Sequence, residues 1–188
     1  MPETALILID IQNDYFPGGA WEVDRMEEVA ANAARLLTHA RKSAQLVIHI
    51  RHEAGSDKAP FFRPNTPGAE INETVRPTDT EAVVLKHRPN GFHETDLLDR
   101  LRDAGVITLT ICGAMTQMCI DATTRAAVDY GFKATVVSDA CGAKATSFGG
   151  VDIPASTVQA AFLAPLAMSY AKVITTDEAL SSATGPDA

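Results

Sequence analysis

The sequence predicts an α/β fold, three α/β/α layers built around a mostly parallel sheet of about six strands. Two observations carry the prediction. Short apolar runs rich in Val and Ile recur along the chain without polar alternation, the pattern of strands buried on both faces. Between them lie segments whose apolar residues repeat at helical spacing, so strand and helix alternate. No internal repeat, low-complexity tract or Ser/Gly linker divides the 188 residues, and one domain over 1–188 is expected.

The first strand is expected over residues 5–11, ALILIDI, with Asp10 interrupting the run near its carboxyl end. Asp24 is a candidate N-cap for a helix whose buried stripe is Val29, Ala33, Leu36, Leu37 and Ala40. LVIHI at 46–50 predicts the second strand. Residues 53–80 carry Pro60, Pro64, Pro67 and Pro77 and read as a long loop over the surface. AVVL at 82–85 is the third strand, ended by Lys86. Leu97, Leu98 and Leu101 mark a helix that stops before Gly105, a favourable residue just past a helix end. VITLTI at 106–111 is the fourth strand, followed by a helix from about Gln117 to Tyr130. ATVV at 134–137 and KVIT at 172–175 complete the sheet, and Pro165 predicts a kink or break in a helix over 155–170.

Composition excludes several classes. With 46% hydrophobic and 21% charged residues the chain is neither disordered nor a disulfide scaffold. Lys and Arg total 16 against 24 Asp and Glu, a net charge of -8 that repels phosphate backbones and anionic lipid, so no nucleic acid or membrane partner is expected. No apolar run approaches the ~18 residues of a membrane span, and the N-terminus lacks the basic flank of a leader. Cys112, Cys119 and Cys141 are an odd set without CxxC spacing, which suits free thiols in a reducing, cytoplasmic setting. Cys112, within a strand pattern, and Cys141 read as structural.

Ligands of open parallel sheets bind at the carboxyl ends of the strands. Asp10 and Lys86 stand at such ends, and Cys119 follows the fourth strand in the first turn of a helix. A cysteine there feels the positive end of the helix dipole and free backbone N–H groups, which favour a thiolate and can hold an oxyanion. A neighbouring carboxylate can take the thiol proton and later return it to a leaving group. An ammonium beside both keeps the carboxylate ionised. Asp10, Lys86 and Cys119 therefore form a candidate acyl-transfer site.

Three ordered segments resemble the isochorismatase-like superfamily of cysteine hydrolases, whose fold is a Rossmann-like α/β/α sandwich. LILIDIQNDYFPGGAWEV resembles its first-strand motif, VVLKHRPNGFHETDLLDRL its lysine strand, and ICGAMTQMCIDATTRAAVDYGFKATVVSDAC its nucleophile segment. The resemblance implies a triad of Asp10, Lys86 and Cys119, a cis Ala114–Met115 peptide, and an oxyanion hole from the Met115 and Cys119 amides. It implies hydrolysis of a small amide, ureido or carbamoyl compound through a thioester, with release of ammonia or an amine. Asn13, Phe16, Trp21, Arg51 and Ala114 are candidate substrate contacts, and Phe61 or Phe62 a further wall. A homodimer or homotetramer is the usual assembly of such relatives.

Nicotinamidases of this superfamily hold a metal through an Asp-x-His…His cluster. Here VIHIRHEAGSD offers His49, His52 and Asp57 without that spacing, so no metal and no other cofactor is expected. His49 lies mid-strand and reads as a core histidine, while Arg51, His52 and Glu53 either line the pocket or brace the strand end. Gln159 stands where many relatives carry His. Members that open a vinyl ether lack the cysteine, so Cys119 argues against that chemistry; an ester or vinyl-ether hydrolase using Asp10 without a covalent intermediate is the alternative enzyme reading. A thiol redox or small-molecule binding protein is the non-enzymatic one.

Overall fold

The computed structural model describes residues 3–182. Strands β1 (Thr4–Ile9), β2 (Leu46–His52), β3 (Ala82–Lys86), β4 (Thr108–Ala114) and β5 (Lys133–Gly142) belong to one sheet. A short antiparallel hairpin, β6 (Thr146–Phe148) and β7 (Val151–Ile153), stands apart from it, and β8 (Ala171–Ile174) completes it. The order is β3-β2-β1-β4-β5-β8, and every pair is parallel. Chain order reverses direction at β1, which has β2 on one side and β4 on the other. That is the switch point at which parallel sheets open a crevice for ligands.

Strand side chains alternate between faces, and the two faces bury different helices. Leu6, Leu8, Val47, Cys112 and Val137 pack against α1 (Met26–Lys42), with Ala179 and Leu180 of α5 (Thr176–Ser182) alongside. Ala5, Ile7, Ile9, Ile50, Val84, Ile111 and Val136 face α2 (Leu97–Asp103), α3 (Asp121–Asp129) and α4 (Ala155–Ser169). The result is the expected α/β/α layering with six strands in the sheet. No helix among the described residues is long and apolar enough to cross a membrane.

Several expectations need correction. β1 ends at Ile9, because Asp10 turns out of the strand at φ 50°. Asp24 does not cap α1; Arg25 takes the cap position at φ 53° without a side-chain cap bond, and the Asp24 N–H donates to the Ala143 carbonyl at 3.2 Å. The fourth and fifth strands extend further than their apolar runs, to Ala114 and Gly142, since Gly and Cys are as easily buried there as Val. The helix expected from Gln117 begins instead as a π-turn over Thr116–Ile120, and α3 follows it. Pro165 neither breaks nor ends α4, which runs on to Ser169. The segment 53–80 is anchored rather than draped: Phe62, Ala69 and Val75 are fully buried, and Gln12 forms a bridge with Ile71.

Candidate active site

Asp10, Lys86 and Cys119 come from the ends of three elements and meet at the carboxyl edge of the sheet. Lys86 Nζ donates to Asp10 Oδ2 at 2.7 Å and to Cys119 Sγ at 3.3 Å. Both side chains of the Asp10–Lys86 pair are 0% exposed. β3 lies two strands from β1 in the sheet, so only a long stem carries a charge from Lys86 across β2 to Asp10. The Asp10 N–H donates to the Ile50 carbonyl at 3.0 Å, which holds the turn against β2.

Burial alone would lower the Lys86 pKa, but Asp10 and then Cys119 outweigh it, and the group stands above its ordinary value as an ammonium. Burial raises the Cys119 pKa and Asp10 raises it further, with Lys86 opposing both. The resting site therefore holds a thiol, with a carboxylate placed to take its proton and an ammonium placed to stabilise what remains. Burial alone drives Cys112 up to about 12, and both Cys112 and Cys141 are buried free thiols.

Close backbone approach builds the turn beneath the nucleophile. Gly113 has φ 124°, and a Cβ there would run into the Ile9 carbonyl oxygen. The peptide between Ala114 and Met115 is cis. The N–H groups of Met118 and Ile120 both return to the Met115 carbonyl, at 3.0 and 3.2 Å, closing the π-turn around Cys119. Thr116, wholly buried, hydrogen bonds through its hydroxyl to Gln159 on α4.

The candidate pocket residues divide by how their polar atoms are engaged. Asn13 is committed to the loop: its Nδ2 donates to Pro67 O at 2.8 Å, and its Oδ1 accepts from Asn72 at 2.9 Å. Arg51 is committed to Glu53 at 2.5 Å and Glu70 at 3.5 Å. Trp21 stacks on Phe61 with centroids 4.8 Å apart, under the Lys144 ammonium at 5.3 Å, and its buried Nε1 has no protein partner. Phe16 packs half-buried against the same cluster, Phe62 lies beneath it, and Ala114 is fully buried at the end of β4. Asp10 Oδ1 and Gln117 Oε1 are likewise buried without a protein partner.

His49, His52 and Asp57 do not come together as ligands. His49 is a core histidine whose Nε2 meets Glu81 at 3.1 Å, and Asp57 is exposed. Among the described residues one trio has ligand-like spacing, Asp10, His52 and Cys119, with donor atoms within 4.8 Å of one another. The Lys86 ammonium already stands among those atoms, so the arrangement does not fit a resident metal.

Two contacts went unread in the sequence. Lys86 Nζ also meets His52 Nδ1 at 2.9 Å, and His52 and Lys86 are Cα partners across β2 and β3. Aligning the two strand ends would have found that pair. Gln12, buried, receives the His52 N–H on Oε1 and donates to the His52 and Ala69 carbonyls, each at 2.8 Å. No periodicity distinguishes that residue from any other polar group following a strand.

The family model described as Isochorismatase domain matches residues 4–178. The chain is 47% identical over 174 residues to the isochorismatase family protein YddQ of Bacillus subtilis (strain 168), a match covering 93% of this chain and 97% of that one. Streptothricin hydrolase of Streptomyces noursei is 36% identical over 74% of this chain, which spans 54% of that longer protein. A crystal structure from Oleispira antarctica assigned to the isochorismatase hydrolases superimposes with a TM-score of 0.91 at 44% identity, covering 95% of this chain and 96% of that one.

Proposed function

The chain belongs to the isochorismatase family and is a hydrolase, and from that premise we propose that it opens carbon–nitrogen bonds in small amide, ureido or carbamoyl compounds, with Cys119 as nucleophile. The observation that carries the reading is the Lys86 ammonium bridging a buried carboxylate and a thiol at 2.7 and 3.3 Å. A hydrolase that used Asp10 alone would have no need of the thiol at that distance.

Asp10 takes the Cys119 proton as sulfur attacks the carbonyl carbon, forming the C–S bond and moving the C=O electron pair onto oxygen. The backbone N–H groups of Met115 and Cys119 receive that oxyanion. Collapse restores the C=O and breaks the C–N bond, and Asp10 gives its proton to the departing nitrogen, which leaves as ammonia or an amine. Asp10 then deprotonates water, whose attack breaks the C–S bond and returns the thiol. Lys86 donates to both Asp10 Oδ2 and Cys119 Sγ, and its positive charge stabilises the negative charge on sulfur as the proton leaves. Buried Asp10 Oδ1, free of protein partners, supports the reading, because a carboxamide N–H would satisfy it. Phe16, Trp21 and Ala114 remain as contacts for the acyl part, since Asn13 and Arg51 are spent on their neighbours.

The test is ammonia release from a panel of small amides, N-carbamoyl amino acids and ureido acids by wild type, Cys119→Ser and Asp10→Asn. Both variants are expected to lose on the order of a thousandfold or more in kcat. A Cys119→Ser enzyme within about tenfold of wild type would overturn the covalent mechanism in favour of an Asp10-centred ester or vinyl-ether hydrolase.

A further inference from the structure

An ammonium group has three N–H donors and no lone pair. That of Lys86 has three neighbours: Asp10 Oδ2 at 2.7 Å, His52 Nδ1 at 2.9 Å and Cys119 Sγ at 3.3 Å. Each donor therefore has an acceptor only if His52 offers the lone pair of Nδ1, so the neutral ring carries its proton on Nε2. A proton on Nδ1 would set donor against donor beside a fully buried ammonium, at the cost of an unmade bond to a charge.

The imidazole is seated independently of that contact. Gln12 grips the His52 backbone on both sides, N–H and carbonyl, at 2.8 Å each, and the ring packs 5.8 Å from Phe62. β2 thus places the ring on the strand that Lys86 crosses on its way to Asp10. The charged and titratable groups about the ring are Lys86, Asp10, Cys119 and His87, with Arg51 and Glu53 beside it paired to each other. Burial first and Lys86 second, with Asp10 opposing, bring the ring down to about 4, so it is a neutral acceptor throughout the neutral range.

We propose that His52 is a positioning residue, whose Nδ1 takes the third proton of the Lys86 ammonium and so fixes that ammonium between Asp10 and Cys119. The proposal rests on the reading of Asp10, Lys86 and Cys119 as the reacting groups. Without the acceptor, one donor of a buried ammonium goes unmet, the group swings to find another, and the alignment with the sulfur is lost.

Long-range proton–nitrogen NMR spectra of the ¹⁵N-labelled full chain at pH 7 read the tautomer directly, with His52→Asn identifying the signals. The expected result is a neutral His52 with its proton on Nε2. A proton on Nδ1, or an imidazolium, overturns the proposal. Separately, the pH dependence of Cys119 alkylation by iodoacetamide, located by mass spectrometry, compares wild type, His52→Asn and His52→Leu. Asn carries an oxygen near the place of Nδ1, and Leu has similar bulk without an acceptor. Alkylation of the Asn variant should stay within about threefold of wild type, while the Leu variant slows about tenfold or more and needs higher pH. Equal rates in all three proteins, or an Asn variant as slow as Leu, would defeat the assignment. Should the Leu variant fail to fold, the NMR result decides alone. Neither measurement requires turnover, so inertness toward every amide would count against the proposed reaction and leave this test intact.

Discussion

The Thr116 hydroxyl donates to Gln159 Oε1 at 2.6 Å, joining the turn that carries the nucleophile to the middle of α4. The other end of the same amide donates to the carbonyls of Ser138 and Cys141, both at 3.0 Å. One side chain therefore staples three segments together, β5, α4 and the π-turn, and its donor and acceptor ends leave only one orientation of the amide that satisfies all of them.

Replacing Gln159 with Leu removes the staple and leaves a hydroxyl and two carbonyls short of partners. Stability should fall by about 1–3 kcal/mol, measured as a shift of the urea midpoint at constant slope. Cys119 alkylation should slow as well. An unchanged midpoint would show that water replaces the amide without loss.

Gly113→Ala should be among the most damaging of single substitutions. The new methyl meets the Ile9 carbonyl of a neighbouring strand in the centre of the sheet, at a φ that L residues rarely adopt. Backbone strain and overpacking of that kind cost upwards of about 3 kcal/mol, so the expected outcome is little soluble protein or a thermal midpoint lowered by several degrees. A variant that melts with wild type would mean that β1 and β4 can part without penalty.

Acid sensitivity has a nameable source. The folded pKa of His52, about 4, lies below its unfolded value of about 6.5, so between those values the unfolded chain binds a proton that the native one refuses. Stability should therefore fall as pH drops from 6.5 to 4, by roughly 2–3 kcal/mol from this group. Burial lowers the His49 pKa and acts in the same direction. Glu81, held near 2 chiefly by its bond to Arg41, adds a loss as pH falls below its unfolded value toward 2. Denaturant titrations from pH 7 to 4 should show a shallower decline in His52→Asn than in wild type; parallel declines would assign the effect elsewhere.

Asp14 fastens the long connection between β2 and β3. Its carboxylate accepts from the Phe62 N–H at 2.6 Å and the Ala20 N–H at 3.3 Å, and a side chain at position 68 would collide with it. Asp14→Ala should free the exposed stretch 55–58 for cleavage, visible as faster limited proteolysis at Lys58 with little change in global stability. Equal cleavage rates would mean that the buried Phe62 ring holds the loop unaided.

What the sequence reveals here follows physical periodicity and charge. Strands buried on both faces announce themselves as unbroken apolar runs, and β1 through β4 are found where those runs lie. Asp10 and Lys86 stand out as charges at the ends of such runs, and Cys119 by its place after β4. Contacts between segments distant in the chain carry no such mark. The sequence does not mark Pro67, Asn72 and Glu53 as the hydrogen-bond partners of Asn13 and Arg51, and the His52–Lys86 pair emerges only once β2 and β3 are set in register. The π-turn is equally silent, because its residues would serve an ordinary helix, and the uncapped Arg25 shows that a favourable Asp one position earlier need not be used.

The distances along the chain have a further consequence. Asp10 and Lys86 are separated by 76 residues and Lys86 and Cys119 by 33; the first two stand at the ends of β1 and β3, and Cys119 in the turn that follows β4. No fragment short of the assembled β3-β2-β1-β4 core brings the three together. In a refolding experiment, the enzyme's thiol chemistry should therefore return only with the long-range pairing of those strands, later than helical signal from α1. Recovery of activity would time the closure of the sheet itself.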